Sequence, residues 1–326
     1  MIIIFYIKEY YNIDELFDTT FKIPYFLKKL VIKFFKIANI LTIKENIVLI
    51  PYSKDNINKL SDSKIKKLSN KIHKLLYKEN VHTIAISNSL SKLKNIDIMK
   101  NYFYSNNYDI LNGKWLFKHL SFEVLEYLYK KTNKPINEME ISILTNSNSD
   151  FIKENIKLLS QNVKNLNIVT PNIEHFKPLT QDLYNSFGIS IRISNNKKKI
   201  LTHSDVIFNF DFSEEILNKF TLPLDGIIIN YNNKIRIRNK LFNGLNIHNY
   251  NINIHKNLIE AFEEDNLLDS FDLEILYESL YFKELSFSKM LTHFMEDALI
   301  ITSLEGSNGT ILDKEYKIFV QKTWQI

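Results

Sequence analysis

The sequence predicts an α/β fold that contains a parallel sheet, and two observations lead to this prediction. Short apolar runs alternate with helical patterns along the first 230 residues, an order typical of strand–helix–strand units. The chain also has 326 residues, of which 45% are hydrophobic, so it can build the cores of two or three domains.

The clearest alternation lies between residues 136 and 235, where five short apolar runs are separated by helical patterns. The predicted strands are 141–144, 166–170, 189–193, 206–210 and 226–230. Strands that alternate with helices in this way predict parallel pairing, with helices on both faces of one sheet. We therefore expect residues 136–235 to form a Rossmann-like domain.

Residues 1–135 show the same alternation and are predicted to form an N-terminal α/β domain. The predicted elements are strands at 1–7, 47–50, 83–86 and 108–111, and helices at 60–76 and 114–131. Pro51 is expected to end the second strand. The residues 132–135 end the second helix, because the residue before Pro135 avoids the α-helical region. We place a domain boundary there, and expect this helix to join two lobes.

Residues 236–326 are predicted to form a mostly helical region that packs back on the first two domains. The stretch 227–238 first predicts a strand, a turn at 231–234 and a second strand at 235–238, because asparagine tolerates positive φ in tight turns. Apolar residues at helical spacing predict helix over 270–302, and the glycines at 306 and 309 predict a turn.

Composition argues against several classes of function. The net charge is +5, but Arg192, Arg236 and Arg238 are the only arginines, so no specific nucleic-acid partner is predicted. The absence of cysteine excludes disulfides, zinc–thiolate sites and cysteine nucleophiles. His248 and His255 are the closest pair of histidines and lack a third ligand in a recognised spacing, so no metal site is predicted.

Two apolar segments near the start of the chain bear on membrane association. Residues 1–7 are too few to span a bilayer and lack the features of a signal peptide, so they are predicted to be a buried strand. Residues 24–41 are apolar, with four lysines at helical spacing. This segment fits the surface helix of a soluble domain, and it also fits a basic helix that lies on an anionic membrane. With no transmembrane segment predicted, we expect a cytoplasmic protein.

The turn after the first strand of the Rossmann-like domain carries candidate ligand-binding residues. They are Thr145, Asn146, Ser147 and Asn148, in a turn without glycine. Ligands of open parallel sheets bind beyond the carboxyl ends of the strands, where helix N-terminal amides attract phosphate. Without glycine, however, side chains hold the backbone farther from a pyrophosphate. The segment from Ser147 to Asp150 equally fits a plain helix cap.

Polar residues at other strand ends complete the candidate cofactor-binding set. Thr170 and Asn172 follow the second strand, where hydrogen bonds to a ribose or a 2′-phosphate are expected, although both are also ordinary turn residues. Asn209 lies in an apolar strand and needs hydrogen-bond partners, and Asn230 ends the next strand. Asp211 is expected to face the cleft, and it also fits a helix cap with Glu214 three residues later. No catalytic residue is predicted.

Two segments of the predicted Rossmann-like domain carry a family resemblance. They are 204–211, Ser-Asp-Val-Ile-Phe-Asn-Phe-Asp, and 225–232, Asp-Gly-Ile-Ile-Ile-Asn-Tyr-Asn. The first resembles an Ala-Asp-hydrophobic-Ile-Asn-Ala-Thr segment of shikimate dehydrogenase-type Rossmann domains, and the second resembles the next strand of that family. The order of lobes is also similar, and glutamyl-tRNA reductases and amino-acid dehydrogenases share it. The resemblance implies this fold and a cleft between the lobes, and NAD or NADP is the cofactor that such a cleft would hold.

The chain departs from the family where the cofactor and substrate bind. The glycine-rich turn is absent at 145–150, Thr170-Pro171-Asn172 replaces an Asn-Arg-Thr cofactor segment, and 1–135 lacks the family's Asn-x-Thr-x-Pro-x-Lys pattern. We therefore expect a protein of dehydrogenase ancestry, with an altered dinucleotide loop, that binds a small ligand or nucleotide between its lobes; whether it is an enzyme is left open. Two other hypotheses stay open: an active NAD(P)-dependent oxidoreductase, and a non-enzymatic interaction or membrane-surface module that uses the basic 24–41 helix.

Overall fold

The computed structural model describes most of the chain, which divides into two compact units. The described residues are 4–10, 42–44, 46–53, 59–163, 165–232, 234–254, 267–284 and 299–324. Unit 1 comprises residues 1–113 and 254–299, and unit 2 comprises residues 114–253 and 300–326. The basic segment 24–41, His255 and residues 285–298 of the predicted C-terminal helix lie outside the described residues. The domain limits predicted from the sequence stay a prediction.

Strands and helices alternate along most of the described chain. Up to residue 113 they are β1 (Ile4–Tyr10), β2 (Thr42–Lys44), β3 (Ile47–Ser53), α1 (Asp62–Lys78), β4 (Thr83–Ile86), α2 (Asn88–Ser91), α3 (Ile96–Ser105) and β5 (Asp109–Leu111). Then come α4 (Lys114–His119), α5 (Ser121–Thr132), a 3₁₀ turn (Ile136–Glu138), β6 (Glu140–Leu144), α6 (Asp150–Asn162), β7 (Asn165–Val169), α7 (Ile173–Phe187), β8 (Ile191–Ser194), β9 (Val206–Asn209), α8 (Glu214–Leu217) and β10 (Ile227–Asn230). The last are β11 (Leu245–Ile254), α9 (Leu273–Glu284), β12 (Leu299–Gly306), β13 (Gly309–Thr310) and α10 (Asp313–Thr323).

Unit 1 is built on a five-stranded sheet with the order β2-β3-β1-β4-β5. β1 pairs in parallel with β3 and β4, β4 pairs in parallel with β5, and β2 is antiparallel to β3. One face packs against α1 and α3, and the other face packs against the α9 region through Phe271 and Leu276. Because both faces are covered, these strands are nearly uniformly apolar, as parallel strands usually are.

Pro51 does not end β3, contrary to the prediction. The strand continues to Ser53, but its register against β1 shifts: Glu9 lies opposite Ile50, and Tyr10 lies opposite Ser53. Pro51 has no N–H to give to the ladder, so a bulge at this point lets the strand pass through the proline and resume pairing.

Unit 2 is built on an eight-stranded sheet with the order β13-β12-β11-β10-β9-β6-β7-β8. Six strands that are consecutive in this sheet, β8, β7, β6, β9, β10 and β11, pair in parallel. Renumbered within the unit, their order is 3-2-1-4-5-6, which is the strand order of the Rossmann fold. The five predicted strands are all present, and the predicted α/β fold with a Rossmann-like parallel sheet is confirmed.

One face of this sheet packs against segments that connect the strands. Leu144, Val169, Ile207 and Ile228 project from four neighbouring strands into one buried cluster. The other members of that cluster lie between residues 200 and 237 and include Leu217, Phe220 and Ile235. The crossover from β10 to β11 therefore covers the sheet without forming a helix in its described residues.

The predicted single helix at 114–131 is wrong in one respect, because it is broken at Leu120. α4 ends at His119 and α5 starts at Ser121. The hydroxyl of Ser121 donates to the carbonyl of Lys118 at 2.7 Å and also contacts the Tyr231 hydroxyl at 2.6 Å. A serine that bonds the backbone in this way competes with helical hydrogen bonds. The helix end predicted at 132–135 is confirmed, with Asn133 as a left-handed cap at φ 59°.

The region after residue 235 departs most from the sequence prediction. Residues 235–238 form no strand, because side chains of the α8 region bond their backbone: Glu214 accepts from the N–H of Arg236, and Asn218 accepts from that of Arg238. Residues 299–302 belong to a strand and not to a helix. The turn predicted at 306–309 is confirmed and joins β12 to β13, and three unpredicted strands, β11 to β13, extend the sheet.

Candidate functional site

The candidate site of unit 2 lies at the carboxyl ends of β7, β6 and β9, which are neighbours in the sheet. Residues 145–149 follow β6, residues 170–172 follow β7, and Asp211 follows β9. Ligands of Rossmann-like domains bind at this edge, where the strand order reverses. The fold therefore brings most of the predicted site residues to the place where a ligand is expected.

The carboxylate of Asp211 is bonded to the turn that follows β6. Its Oδ1 accepts from the backbone N–H of Asn146 at 2.7 Å and from the side-chain amide of Asn146 at 3.1 Å. Its Oδ2 accepts from the backbone N–H of Ser147 at 3.0 Å and lies 3.2 Å from the Thr145 hydroxyl. Three N–H donors thus bind the carboxylate, and one hydroxyl lies beside it. Asp211 is thus the anion that the amides of this turn bind.

Neither of the two helix caps expected from the sequence has the predicted position. Ser149, and not Ser147, is the N-cap of α6, and its hydroxyl accepts from the N–H of Ile152 at 3.4 Å. Ser213, and not Asp211, is the N-cap of α8 and accepts from Ile216 at the same distance. Because Ser213 caps the helix, the carboxylate of Asp211 is available for the turn after β6.

The end of β7 contacts the same turn. The hydroxyl of the fully buried Thr170 accepts from the N–H of Asn172 at 3.1 Å. The side-chain amide of Asn172 donates to the carbonyl of Asn146 at 3.1 Å. Asn172 thus closes a second link between strand ends, while its side chain stays exposed to solvent.

Asn209 and Asn230 form a buried chain of amides with Asn246. The Nδ2 of Asn209 donates to the Oδ1 of Asn230 at 2.9 Å, and the Nδ2 of Asn230 donates to the Oδ1 of Asn246 at 2.7 Å. Asn209 also bonds the backbone of Phe212 in both directions, at 2.9 and 3.0 Å. Asn209 and Asn230 are at most 2% exposed, so this chain is part of the interior of the fold.

Asn148 differs from the other polar residues of the turn. Its side-chain oxygen is buried, and it accepts no hydrogen bond from any described residue. Buried acceptors without a partner are uncommon in native proteins. This oxygen is therefore the acceptor in the turn that a bound donor group would satisfy.

Lys118 and His119 of α4 add charge and aromatic surface to the site. Burial lowers the pKa of Lys118, and the negative charge of Asp211 opposes that shift. Burial, with the charge of Lys118, lowers the pKa of His119 to about 2, so its ring is neutral. That ring lies 3.8 Å from the ring of Trp115 and 4.1 Å from that of Phe151 at the start of α6.

Sequence reasoning missed these two residues because a helical Lys-His pair has no motif. The only signal was the spacing of Trp115 and His119, four residues apart on one face of a helix.

Within the described ranges, no three His, Asp or Glu side chains are arranged to hold a metal ion, and every helix is too short or too polar to span a bilayer.

Comparisons with known proteins give only distant similarities. No protein-family model and no curated protein matches the chain. L-tryptophan dehydrogenase from Nostoc punctiforme is 10% identical at a TM-score of 0.34, over 98% of this chain and 88% of that one. Dipicolinate synthase, A chain, from Bacillus subtilis is 10% identical at 0.30, over 57% and 54%. NAD⁺-bound 3-phosphoglycerate dehydrogenase from Entamoeba histolytica is 12% identical at 0.31, over 71% and 72%. The fold assignment rests on the strand order of unit 2.

Proposed function

We propose that unit 2 is a Rossmann-like domain of dehydrogenase ancestry that binds a small polar ligand without NAD(P)-dependent hydride transfer. The strand order 3-2-1-4-5-6 supports the ancestry. The observation that carries the proposal is the carboxylate of Asp211, which already occupies the backbone amides of Asn146 and Ser147.

The bonding of Asp211 disfavours a dinucleotide for two physical reasons. The pyrophosphate of a dinucleotide binds to the backbone N–H groups of this turn in Rossmann folds. Here the pyrophosphate would have to displace a carboxylate that accepts three N–H hydrogen bonds, and then lie beside its negative charge. The absence of glycine adds Cβ atoms between the backbone and any phosphate.

The ligand that fits this edge offers hydrogen-bond donors and places no phosphate at the turn. The side-chain oxygen of Asn148 accepts a donor, and the exposed amide of Asn172 lies beside the same turn. We propose a small polar molecule, or a nucleotide held through its base or ribose, as the ligand class.

A titration with NADH and NADPH, followed by cofactor fluorescence, tests the proposal. We expect no saturable binding by the wild-type chain up to millimolar cofactor, because the amides of Asn146 and Ser147 are occupied. Asp211→Ala frees those amides and removes the opposing charge. We expect this variant to bind inorganic pyrophosphate and NADH measurably, at least about tenfold more tightly than wild type. A tenfold change corresponds to about 1.4 kcal/mol of binding free energy.

Asp182→Ala is the matched control, because it removes one carboxylate from an exposed position of α7. It should leave cofactor affinity at the wild-type level. Hydrogen exchange at the amides of Asn146 and Ser147 gives a second readout, and we expect it to speed up only in Asp211→Ala.

The strand order favours one other candidate, an active NAD(P)-dependent oxidoreductase with Ser, Thr and Asn in place of glycine. Micromolar binding of NADH or NADPH by the wild-type chain, lost in Ser147→Glu or Asn148→Glu, would establish this alternative. The same result would overturn the proposal that Asp211 excludes the cofactor.

A further inference from the structure

Unit 2 contains a cavity of about 730 Å³, which we call the crossover cavity. Lys234, Arg236, Ile237 and Phe242, in the crossover between β10 and β11, line one side. The turn between β12 and β13 and the start of α10 line the other side. None of its lining residues belongs to the candidate cofactor-binding set. Its volume lies in the range of roughly 300–1,000 Å³ that is typical of small-molecule sites.

Hydrogen bonds hold the crossover wall of this cavity in place. Glu214 accepts from the backbone N–H of Arg236 at 3.0 Å, and the Asn218 side-chain amide donates to the carbonyl of Arg236, also at 3.0 Å. The ammonium of Lys234 donates to the carbonyl of Ser307 at 2.8 Å, which links the two walls. A site whose walls are fixed in this way loses little conformational freedom when a ligand binds.

Apolar side chains form the inner surface of the crossover cavity. Ile235 is 4% exposed and Ile311 is 8% exposed, and both line the cavity. Ile237 and Phe242 are half-buried and contribute further apolar area, packed against the core cluster of the sheet. The cavity therefore suits a ligand with an aliphatic or aromatic body.

The charge at the mouth of the cavity is positive. Lys234 and Arg236 line it and are exposed, against one carboxylate, that of Glu315. The carboxylate of Glu315 accepts from the N–H of Leu312 at 2.7 Å and so caps its own helix. Arg238 pairs with Glu214 at 3.2 Å, whereas the guanidinium of Arg236 makes no hydrogen bond to any described residue.

We propose that the crossover cavity binds a small amphipathic monoanion, with Arg236 and Lys234 at its carboxylate and the apolar inner surface around its body. Guanidinium groups bind carboxylates through two parallel hydrogen bonds, which gives the anion a preferred place. The positive mouth also disfavours amines of the same shape.

Calorimetric titration with three probes of matched shape tests this proposal: 4-phenylbutyrate, 4-phenylbutanol and 4-phenylbutylamine. We expect saturable binding of the carboxylate at about tenfold or greater preference over the alcohol, and weaker binding of the amine. Arg236→Gln should reduce the preference for the carboxylate to about threefold or less. Phe242→Leu should weaken the carboxylate and the alcohol alike, because it removes apolar contact and leaves the charges in place.

Arg192→Gln is the matched control, because it removes an exposed arginine of β8, at the far edge of the sheet, that does not line the cavity. It should keep the wild-type preference. The proposal is overturned if no probe binds saturably at about 10 mM, the range of weak ligands. It is also overturned if carboxylate and alcohol bind equally, or if Arg236→Gln and Arg192→Gln behave alike.

Discussion

Polar side chains at the strand ends of unit 2 bond chiefly to one another. Asp211 bonds the turn after β6, and Asn172 bonds the same turn from the other side. In a dinucleotide-binding domain the corresponding donors face the ligand. The groups of this edge that already have hydrogen-bond partners therefore decide its chemistry, and the oxygen of Asn148 is an acceptor in the turn that no described residue satisfies.

Glu123 and His119 are expected to give unit 2 an unusual dependence of stability on pH. Burial raises the pKa of Glu123 to about 7, so between pH 4.5 and 7 the folded state holds a proton that the unfolded state has lost. The contribution of Glu123 to the free energy of unfolding therefore falls as the pH rises through this window. The pKa of His119 is lowered to about 2, so stability from His119 falls as the pH drops below 6.5. The two effects oppose each other between pH 4.5 and 6.5.

We predict that Glu123→Gln stabilises the protein at pH 8, by about 2 kcal/mol, and has little effect at pH 4.5. The variant keeps His119, so its stability should fall more steeply than that of wild type between pH 6.5 and 4.5. Urea unfolding at pH 4.5, 6 and 8 measures the difference. Glu154→Gln, at an exposed position of α6, is the control. A stabilisation that is equal at all three pH values would contradict the assigned pKa.

The position of these polar residues at the strand ends was predictable from the sequence, but the hydrogen bonds that they form were not. Asp211 has the sequence of a helix cap, and only the tertiary pairing of β6 with β9 brings its carboxylate to Asn146. Asn209 was predicted to need hydrogen-bond partners, and it has them in Asn230 and Phe212. No local pattern shows that these partners come from the protein itself.

Among the elements, the strands of the parallel sheet were the easiest to predict and β11 was the hardest. Buried strands such as β9 and β10 are short apolar runs, each ended by one asparagine. In β11 the apolar residues are Leu245 and Ile247, then Tyr250 and Ile252, so the alternation changes phase in mid-strand. A strand whose alternation changes phase does not match a period of two, and it was missed for this reason.

The starts of β10 and β11 lie so close together that glycine is required there. A Cβ on Gly244 would overlap the carbonyl oxygen of Gly226, which accepts from the N–H of Leu245 at 3.2 Å. We predict that Gly244→Ala lowers the free energy of unfolding by about 2–3 kcal/mol, because the sheet must shift to admit the methyl group. Chemical denaturation measures this loss.

Gly188→Ala serves as the comparison for Gly244→Ala. Gly188 ends α7 at φ +68° with open space around it. Alanine there makes no clash, and we expect a loss of only about 1 kcal/mol, because a residue with a side chain disfavours the left-handed conformation. Equal losses for the two substitutions would show that the close approach of β10 and β11 does not limit residue 244.

For the whole molecule, both units are assembled from segments distant in sequence. The chain leaves unit 2 at residue 253 and returns at residue 300. The strands that flank this excursion, β11 and β12, are sheet neighbours: Asn251 contacts Ser303, and Asn249 contacts Glu305. These contacts run in opposite directions along the two strands. Such a division depends on long-range pairing, which local sequence patterns do not report.

We predict that unit 2 folds by itself when residues 114–253 are joined to 300–326 by a short Asn- and Gly-containing turn. The antiparallel contacts between β11 and β12 place the two ends within reach of such a turn. Residues 114–253 alone lack α10, which buries Tyr316 against Tyr127, and should not fold cooperatively. Thermal unfolding followed by circular dichroism distinguishes the two chains. A joined chain without a cooperative transition would show that unit 2 depends on unit 1.

The linked amides of the buried Asn209 and Asn230 and the half-buried Asn246 have a consequence for how the sheet assembles. Each belongs to a different neighbouring strand, and their side chains meet only in one alignment of β9, β10 and β11. Sliding β10 by one residue would turn Asn230 to the opposite face and leave its buried amide without the partners Asn209 and Asn246, at a cost of about 1–3 kcal/mol. Uniformly apolar strands give no such penalty, so these three asparagines select the correct register among the misaligned sheets that isoleucine-rich strands would otherwise tolerate.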